Sequence, residues 1–238
     1  MRLNAIVLSL ILIATETFAT PSTQIWIPST DIQQFMNPHI GWDAYIGQNG
    51  KGLVSNGGIT LGVLPLKKVG LEAGIDYRDI SGDHWSPILL NAKAGSPEDA
   101  LFKYMPAIAV GVYDLGFVEG VNNYDLLYGL MSRNIGRFGR LSLGGYYSVG
   151  DPDLMLDKNG RREPGGLFAS WDRNIPEVSD KLWCAVDVQS GTNGYGAISG
   201  GLSWLFAPNA SMIAGYDYYF NAKAFPGTVT VQVDFNLR

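Results

Sequence analysis

The chain has 238 residues, a formal net charge of -5, a hydrophobic fraction of 46% and a charged fraction of 16%. The acidic balance argues against nucleic acid as a partner, because such a partner calls for a basic surface. Thirty glycines and few charges favour an all-β chain with many turns.

The first nineteen residues have the features of a secretory signal peptide. Arg2 supplies a short basic start, Ala5 to Ala14 is mostly apolar, and the segment ends in the small residue Ala19. We predict cleavage after Ala19 and export from the cytoplasm. The apolar run is too short for the alternative, a membrane anchor, which needs about 20 residues.

Residues 20–36 form a short segment ahead of the regular part of the chain. Pro21 and Pro28 interrupt it, so we expect it to be extended or irregular. It is predicted to lie either in the periplasm or in the lumen of the domain that follows. That domain is predicted to occupy residues 37–238.

After residue 36, twelve segments alternate apolar with polar side chains, the pattern of β-strands, whose successive side chains leave on opposite faces. In the last segment, Val229 and Val231 alternate with Thr228 and Thr230. Most segments have about 9–12 residues, the length of a tilted membrane strand. Short connections follow every second strand except the fourth, after which a short helix from Ser96 through Lys103 is expected, and the even strand number places both termini on one side of a barrel. The predicted strands are 38–47, 53–64, 69–78, 87–95, 106–117, 124–134, 138–149, 165–174, 181–189, 196–206, 211–220 and 228–237.

One face of these strands has the composition that a lipid-facing surface requires. It is apolar and contains no charged side chain in our assignment, and Arg or Lys there would cost about 2–4 kcal/mol at the midplane of the bilayer. Tyr and Trp on this face favour the membrane interface, because one end of each side chain is apolar and the other is wet. The predicted lipid-facing aromatic residues are Trp42, Tyr77, Tyr128, Tyr147, Trp171, Trp204, Tyr216 and Phe235.

The opposite face carries charges of both signs, which need water or partners. In a barrel they would line the lumen, either as the wall of a narrow pore with a mild cation preference or as paired charges of a plugged barrel. A soluble β-sandwich could also expose them to solvent, although its core would be mostly aliphatic. The predicted lumen charges are Asp43, Glu72, Asp76, Arg78, Lys93, Asp125, Arg133, Arg140, Asp172, Asp187, Asp217 and Asp234.

The alternating strands of residues 37–238 resemble bacterial outer-membrane β-barrel proteins of the small, roughly twelve-stranded monomeric type. The resemblance implies an all-β fold, namely a closed, antiparallel, up-and-down transmembrane β-barrel. It also implies a place in the bacterial cell outer membrane, with outer-membrane lipid and the barrel-insertion machinery as partners. The chain departs from the class at its end, Phe235-Asn236-Leu237-Arg238, which lacks the usual terminal aromatic residue.

We expect this barrel to be a passive narrow pore for ions or small polar solutes. The first alternative is a closed structural or binding barrel that acts through its outer loops. We expect no cofactor, no metal site and no catalytic residue, since neither glycine-rich phosphate motifs nor regular metal-ligand spacings occur in the sequence.

The second alternative is an outer-membrane lipid-modifying enzyme centred on His84. This residue lies in the predicted outer loop 79–86, beside Asp83 and close to Ser86, and these are the residue types of a hydrolase. The only other histidine, His39, is expected at the start of the first strand. We expect the loop to be solvated rather than catalytic, because neighbours on an irregular loop need not converge.

Overall fold

A computed structural model describes residues 22–48, 53–80 and 87–237 of the chain. The predicted signal peptide and the segment 81–86 with His84 lie outside the described residues. Among the described residues, no helix is long and apolar enough to cross a membrane.

The described residues form twelve antiparallel strands that close into a barrel, as the alternation predicted. Each strand pairs with its neighbours in sequence, and the first strand pairs with the last, so that His39 lies opposite Asn236 and Gly47 opposite Thr228. Closure leaves no free strand edge. Every strand end lies within two residues of its predicted position. The strands are β1 (Pro38–Gly47), β2 (Leu53–Gly62), β3 (Gly70–Ile80), β4 (Ile88–Ser96), β5 (Ala107–Leu115), β6 (Leu126–Asn134), β7 (Arg140–Ser148), β8 (Gly165–Asn174), β9 (Leu182–Gln189), β10 (Ala197–Ala207), β11 (Ala210–Tyr219) and β12 (Thr228–Asn236).

The two ends of the barrel differ in their connections. The end where the chain enters β1 and leaves β12 is here called the proximal end, and it also carries the connections β6–β7 and β10–β11. The opposite, distal end carries the longest connection, β7–β8, although the proximal connection β4–β5 is as long as the distal connection β5–β6. Loops of such unequal length at the two ends are typical of transmembrane barrels.

The outer surface of the barrel is apolar over most of its height. Leu143 and Leu167 are exposed on it by 62% and 70%, respectively. The charged side chains that the described strands place on this surface, Asp79, Arg133 and Arg173, all lie within two residues of a strand end. Long charged side chains at such positions can extend from an apolar surface into water.

The sixth strand faces the opposite way from the prediction. Tyr128 and Leu130 point into the lumen and are 9% and 4% exposed, whereas Leu127 and Met131 are exposed on the outer surface. Tyr128 packs edge-on against Tyr113, with ring centroids 5.7 Å apart. The assignment of Tyr128 to the lipid-facing aromatic residues was therefore wrong.

Arg133 is the reason for this error. Both faces of β6 are apolar, so the prediction placed the charge of Arg133 in the lumen and the alternate residues outside. In the structure Arg133 lies on the outer surface at the proximal rim, with Nη1 3.1 Å from Asp99 and 3.3 Å from Glu98. Its hydrogen bond lowers the pKa of the Asp99 carboxyl. Arg133 is not a lumen charge, because the rim supplies both water and carboxylate partners.

The orientation of β6 can be tested by cysteine labelling in liposomes. In a Cys184→Ala background, Leu127→Cys is expected to react with a maleimide that partitions into lipid, and Tyr128→Cys is expected not to react. The physical reason is that only position 127 faces the apolar exterior. Preferential labelling of position 128 in folded protein would restore the original assignment.

Candidate functional site

The segment before β1 lies inside the barrel. We call residues 22–36 the plug. Its inner part is a tight turn, in which the Gln24 amide donates to the Ile27 carbonyl oxygen at 2.8 Å and Thr23 forms a bridge with Pro28. Ile25 and Ile27 are 1% and 0% exposed. The plug therefore occupies part of the lumen.

Asp187 on β9 holds the inner turn of the plug. Its Oδ2 accepts hydrogen bonds from the backbone amides of Ile25 at 2.8 Å and Trp26 at 2.9 Å. Gln232 on β12 donates to the carbonyl oxygen of Ile25 at 2.8 Å. Leaving such buried amide groups without an acceptor would cost about 1–3 kcal/mol each. The strand wall thus fixes the plug through its backbone, which no side-chain pattern in the plug reveals.

Ion pairs hold the plug at the proximal end. Arg140 on β7 contacts the Asp31 carboxylate of the plug at 2.8 Å and Asp172 on β8 at 2.9 Å. Glu72 on β3 accepts a hydrogen bond from the Gln33 amide at 2.6 Å and pairs with Lys93 on β4 at 3.0 Å. The predicted lumen charges here serve mainly to bind the plug and one another.

Apolar packing places the plug against one side of the lumen. Ile27 belongs to a buried cluster with Tyr128 and Phe168, and Ile25 packs in a second cluster with Trp183. These partners come from β6, β8 and β9. The space along β1 to β5 is left partly open.

This open space is an inner cavity of about 170 Å3 between the plug and the wall. It extends from His39 and Asp234 near the proximal end to Asn56 and Arg78 nearer the distal end. His39 Nε2 lies 3.2 Å from the Asp234 carboxylate. The charged residues that line the cavity are Asp43, Glu72, Asp76, Asp114 and Asp234, with the bases Arg78 and Lys93.

A larger cavity of about 640 Å3 lies on the distal side, and we call it the vestibule. It shares Trp26, Tyr45, Asn56, Arg78 and Tyr195 with the inner cavity, so these side chains form the boundary between the two spaces. Within this boundary the ring of Trp26 contacts those of Tyr45 and Tyr195.

Arg78 is the charged centre of this boundary. Its guanidinium group donates two hydrogen bonds to the Asp114 carboxylate, at 2.8 and 2.7 Å, in the planar paired geometry that arginine favours. The Tyr195 hydroxyl group donates a further hydrogen bond to Asp114. Burial raises the pKa of Tyr195, which lies in the β9–β10 connection, so the hydroxyl group stays protonated as a donor.

Comparison with known proteins identifies the fold of this chain. No protein-family model and no curated protein sequence matches it. A solved chain from work on the in-meso crystallization of membrane proteins superimposes with a TM-score of 0.53 at 13% identity, covering 84% of both chains. The chain has the fold of transmembrane β-barrels.

Two further solved structures are similar at TM-scores too low to support an argument. The NanC porin aligns at 0.48 with 7% identity, covering 84% of this chain and 99% of that chain. Outer membrane phospholipase A from Escherichia coli aligns with a TM-score of 0.47 and 11% identity, covering 87% of this chain and 94% of that chain.

The structure brings most of the predicted lumen charges inside the barrel. Their burial varies, and several bind the plug rather than face open space. The predicted charges found inside are Asp43, Glu72, Asp76, Arg78, Lys93, Arg140, Asp172, Asp187, Asp217 and Asp234. The predicted aromatic residues found on the outer surface are Trp42, Tyr77, Tyr147, Trp171, Trp204, Tyr216 and Phe235.

Asp125 is a second lumen charge that the prediction misplaced. It lies just before β6 with a positive φ of 48°, and its Oδ1 accepts a hydrogen bond from the Gly116 amide at 3.0 Å. Asn and Asp tolerate this left-handed backbone better than other side chains. Asp125 therefore shapes the distal β5–β6 connection and does not line the lumen.

Sequence reasoning missed the residues that complete the site. Asp114 is the sole charge in a strand otherwise read as apolar, and its positive φ of 52° coincides with a register shift between β4 and β5. The shift changes which side chains point inward, so Asp114 joins Tyr113 on the lumen side. Asp31 and Trp26 lie in the irregular plug, where no periodicity indicates a direction. The lone charge of Asp114 was the one available signal.

Proposed function

We propose that this protein is an outer-membrane barrel that conducts small ions, with a preference for cations, through the inner cavity beside the plug. The observation that carries the proposal is the lining of this cavity, where five carboxyl groups accompany the bases Arg78 and Lys93 among the described residues. Both bases are ion-paired, Lys93 with Glu72 and Arg78 with Asp114. Asp76 has no basic partner at ion-pair distance among the described residues, and its carboxylate supplies a negative field that attracts cations.

The size of the cavity favours ions over larger polar solutes. Its volume of about 170 Å3 is below the roughly 300–1,000 Å3 of ordinary small-molecule sites. The plug is held by buried hydrogen bonds and ion pairs, which disfavours its ready displacement by a solute. The sequence left two classes of transported solute open, ions and small polar molecules. Ions fit the space beside the plug better.

The outer surface supports the proposed location. Exposed apolar side chains such as Leu143 and Leu167 surround the barrel at mid-height, and aromatic residues such as Trp204 share this surface. In water such a surface would promote association, whereas in a bilayer it is solvated by lipid. Outer-membrane lipid and the barrel-insertion machinery stay predicted partners, and the signal peptide stays predicted.

Ion selectivity in planar bilayers tests this proposal. The protein is expected to give small, ohmic single-channel steps whose reversal potential in a salt gradient indicates a cation preference. Asp76→Asn is expected to reduce the ratio of cation to anion permeability roughly fivefold. One charge about 4 Å from an ion in water contributes about 1 kcal/mol of interaction free energy. Asp76 suits the test because it lines the cavity and accepts a hydrogen bond from Asn91, which an amide can keep in part.

Asp217→Asn is the matched control for this experiment. Asp217 points inward as Asp76 does, but it is fully buried, its carboxylate accepts a hydrogen bond from Thr228, and it does not line the inner cavity. Its replacement is expected to leave the selectivity unchanged. Anion preference, or silence of protein shown to be folded by heat-modifiable gel migration, would refute the ion pathway and favour the closed barrel.

The lipid-modifying alternative stays a prediction, because His84 is not among the described residues. His39, the other histidine, is buried at the proximal end beside Asp234 and Asn236 and not on the lipid-facing surface. Loss of lipid turnover in a His84→Ala variant would support a lipid-modifying enzyme, an activity that is not part of the function proposed here.

A further inference from the structure

The vestibule is larger and more apolar than a passage for ions needs. Its volume of about 640 Å3 lies within the roughly 300–1,000 Å3 of sites that bind small molecules. Leu89, Leu154, Leu156 and Phe225 contribute to its lining. Sites of this size with mostly apolar walls and a few polar groups are the usual form of a ligand pocket.

The floor of the vestibule is a set of aromatic rings in mutual contact. The Trp26 ring lies edge-on to Tyr219 and Tyr45, with centroids 5.3 and 5.5 Å apart. Trp26 also donates from Nε1 to the carbonyl oxygen of Tyr195 at 2.9 Å. Such edge-to-face contacts hold the rings in place, so the floor is formed before any ligand arrives.

The charges of the vestibule favour an anionic ligand. Of the four charged residues that line the vestibule in the described part of the chain, Arg78 is paired with Asp114 and Asp157 is paired with Arg161. Lys158 and Lys223 remain, both exposed, and neither forms an ion pair with a carboxylate in the described parts of the chain. An apolar cavity with two such cations is complementary to an apolar molecule that carries one negative charge.

We propose that the vestibule binds a small apolar carboxylate. The apolar body packs on the aromatic floor around Trp26, and the carboxylate points toward Lys158 and Lys223. This site is additional to the ion pathway, since its ligand enters from the distal side and is too large for the inner cavity. A bound molecule covers the boundary at Arg78 and so narrows the path of ions beneath it.

Isothermal titration calorimetry on the full-length mature protein in detergent micelles tests the site without any measurement of conductance. The probes are indole-3-acetate and its neutral counterpart indole-3-acetamide, which differ in charge and little in shape. The acetate is expected to bind about fivefold more tightly than the amide at low salt, which is the effect of one favourable charge interaction in water. Trp26→Ala is expected to weaken the binding of both probes.

The double variant Lys158→Gln, Lys223→Gln is expected to abolish the difference between the two probes while leaving binding of the amide unchanged. Lys67→Gln is the control, because Lys67 is an exposed lysine at the other end of the barrel. Equal affinities for both probes in the unmodified protein, or no binding of either, would overturn the proposal. The ion pathway would be untouched by that outcome, since it depends on Asp76 and not on these lysines.

Discussion

Removal of residues 22–30 is expected to raise the single-channel conductance on the order of tenfold, because the lumen of a twelve-stranded barrel changes from filled toward open. The deletion takes out the inner turn with Ile25 and Ile27 and keeps the ion pair between Asp31 and Arg140. The measurement is the amplitude of steps in planar bilayers at fixed salt. The cation preference is expected to decline, since ions pass farther from the charged wall.

A point variant makes this prediction independent of whether the shortened chain folds. Asp187→Ala removes the acceptor for the amides of Ile25 and Trp26, so brief openings of larger amplitude are expected. Ser199→Ala is its matched control. Ser199 lies on β10, directly opposite Asp187 of β9, is also buried and has no hydrogen bond to the plug. Unchanged conductance in the folded deletion and in Asp187→Ala would mean that the plug does not limit ion flow.

Leu143→Arg is expected to destabilise the barrel in lipid vesicles by about 2–4 kcal/mol, the cost of an arginine near the midplane of a bilayer. Leu143 lies near the middle of β7 on the outer surface and is 62% exposed. The measurement is reversible unfolding by denaturant in the presence of vesicles, followed by tryptophan fluorescence.

Val178→Arg is the control for this second prediction. Val178 is 73% exposed, but it lies in the proximal β8–β9 connection, outside the strands. Its replacement is expected to change the free energy of unfolding by less than about 0.5 kcal/mol, as is usual for surface sites. If both arginines had the same small effect, the apolar band would not be in contact with lipid, and the membrane assignment would fail.

The strands were predictable because their signal is local. In β12, each of Val229, Val231, Val233 and Phe235 faces outward for the same reason, namely that a strand alternates its side chains. The failure in β6 shows the limit of this reasoning. Both faces of that strand are apolar, so alternation could not orient it, and the one charge, Arg133, pointed to a rim and not to the lumen.

The interior of the site depends on contacts between residues far apart in sequence. Asp187 binds Ile25 across 162 positions, and Arg140 binds Asp31 across 109. Contacts between residues so far apart in sequence produce no periodic pattern that a sequence analysis could detect. A charged lumen could therefore be predicted, but not which of its charges pair, which hold the plug and which, like Asp76, line open space.

By itself the sequence determined the fold class, the strand number, the strand ends to within two residues and most of the outward surface, since all of these follow from alternation along single strands. Tertiary structure alone decided the course of residues 22–36, the division of the lumen into an inner cavity and a vestibule, and the orientation of β6. These features arise from hydrogen bonds, ion pairs and packing between distant segments, which exist only after the barrel closes.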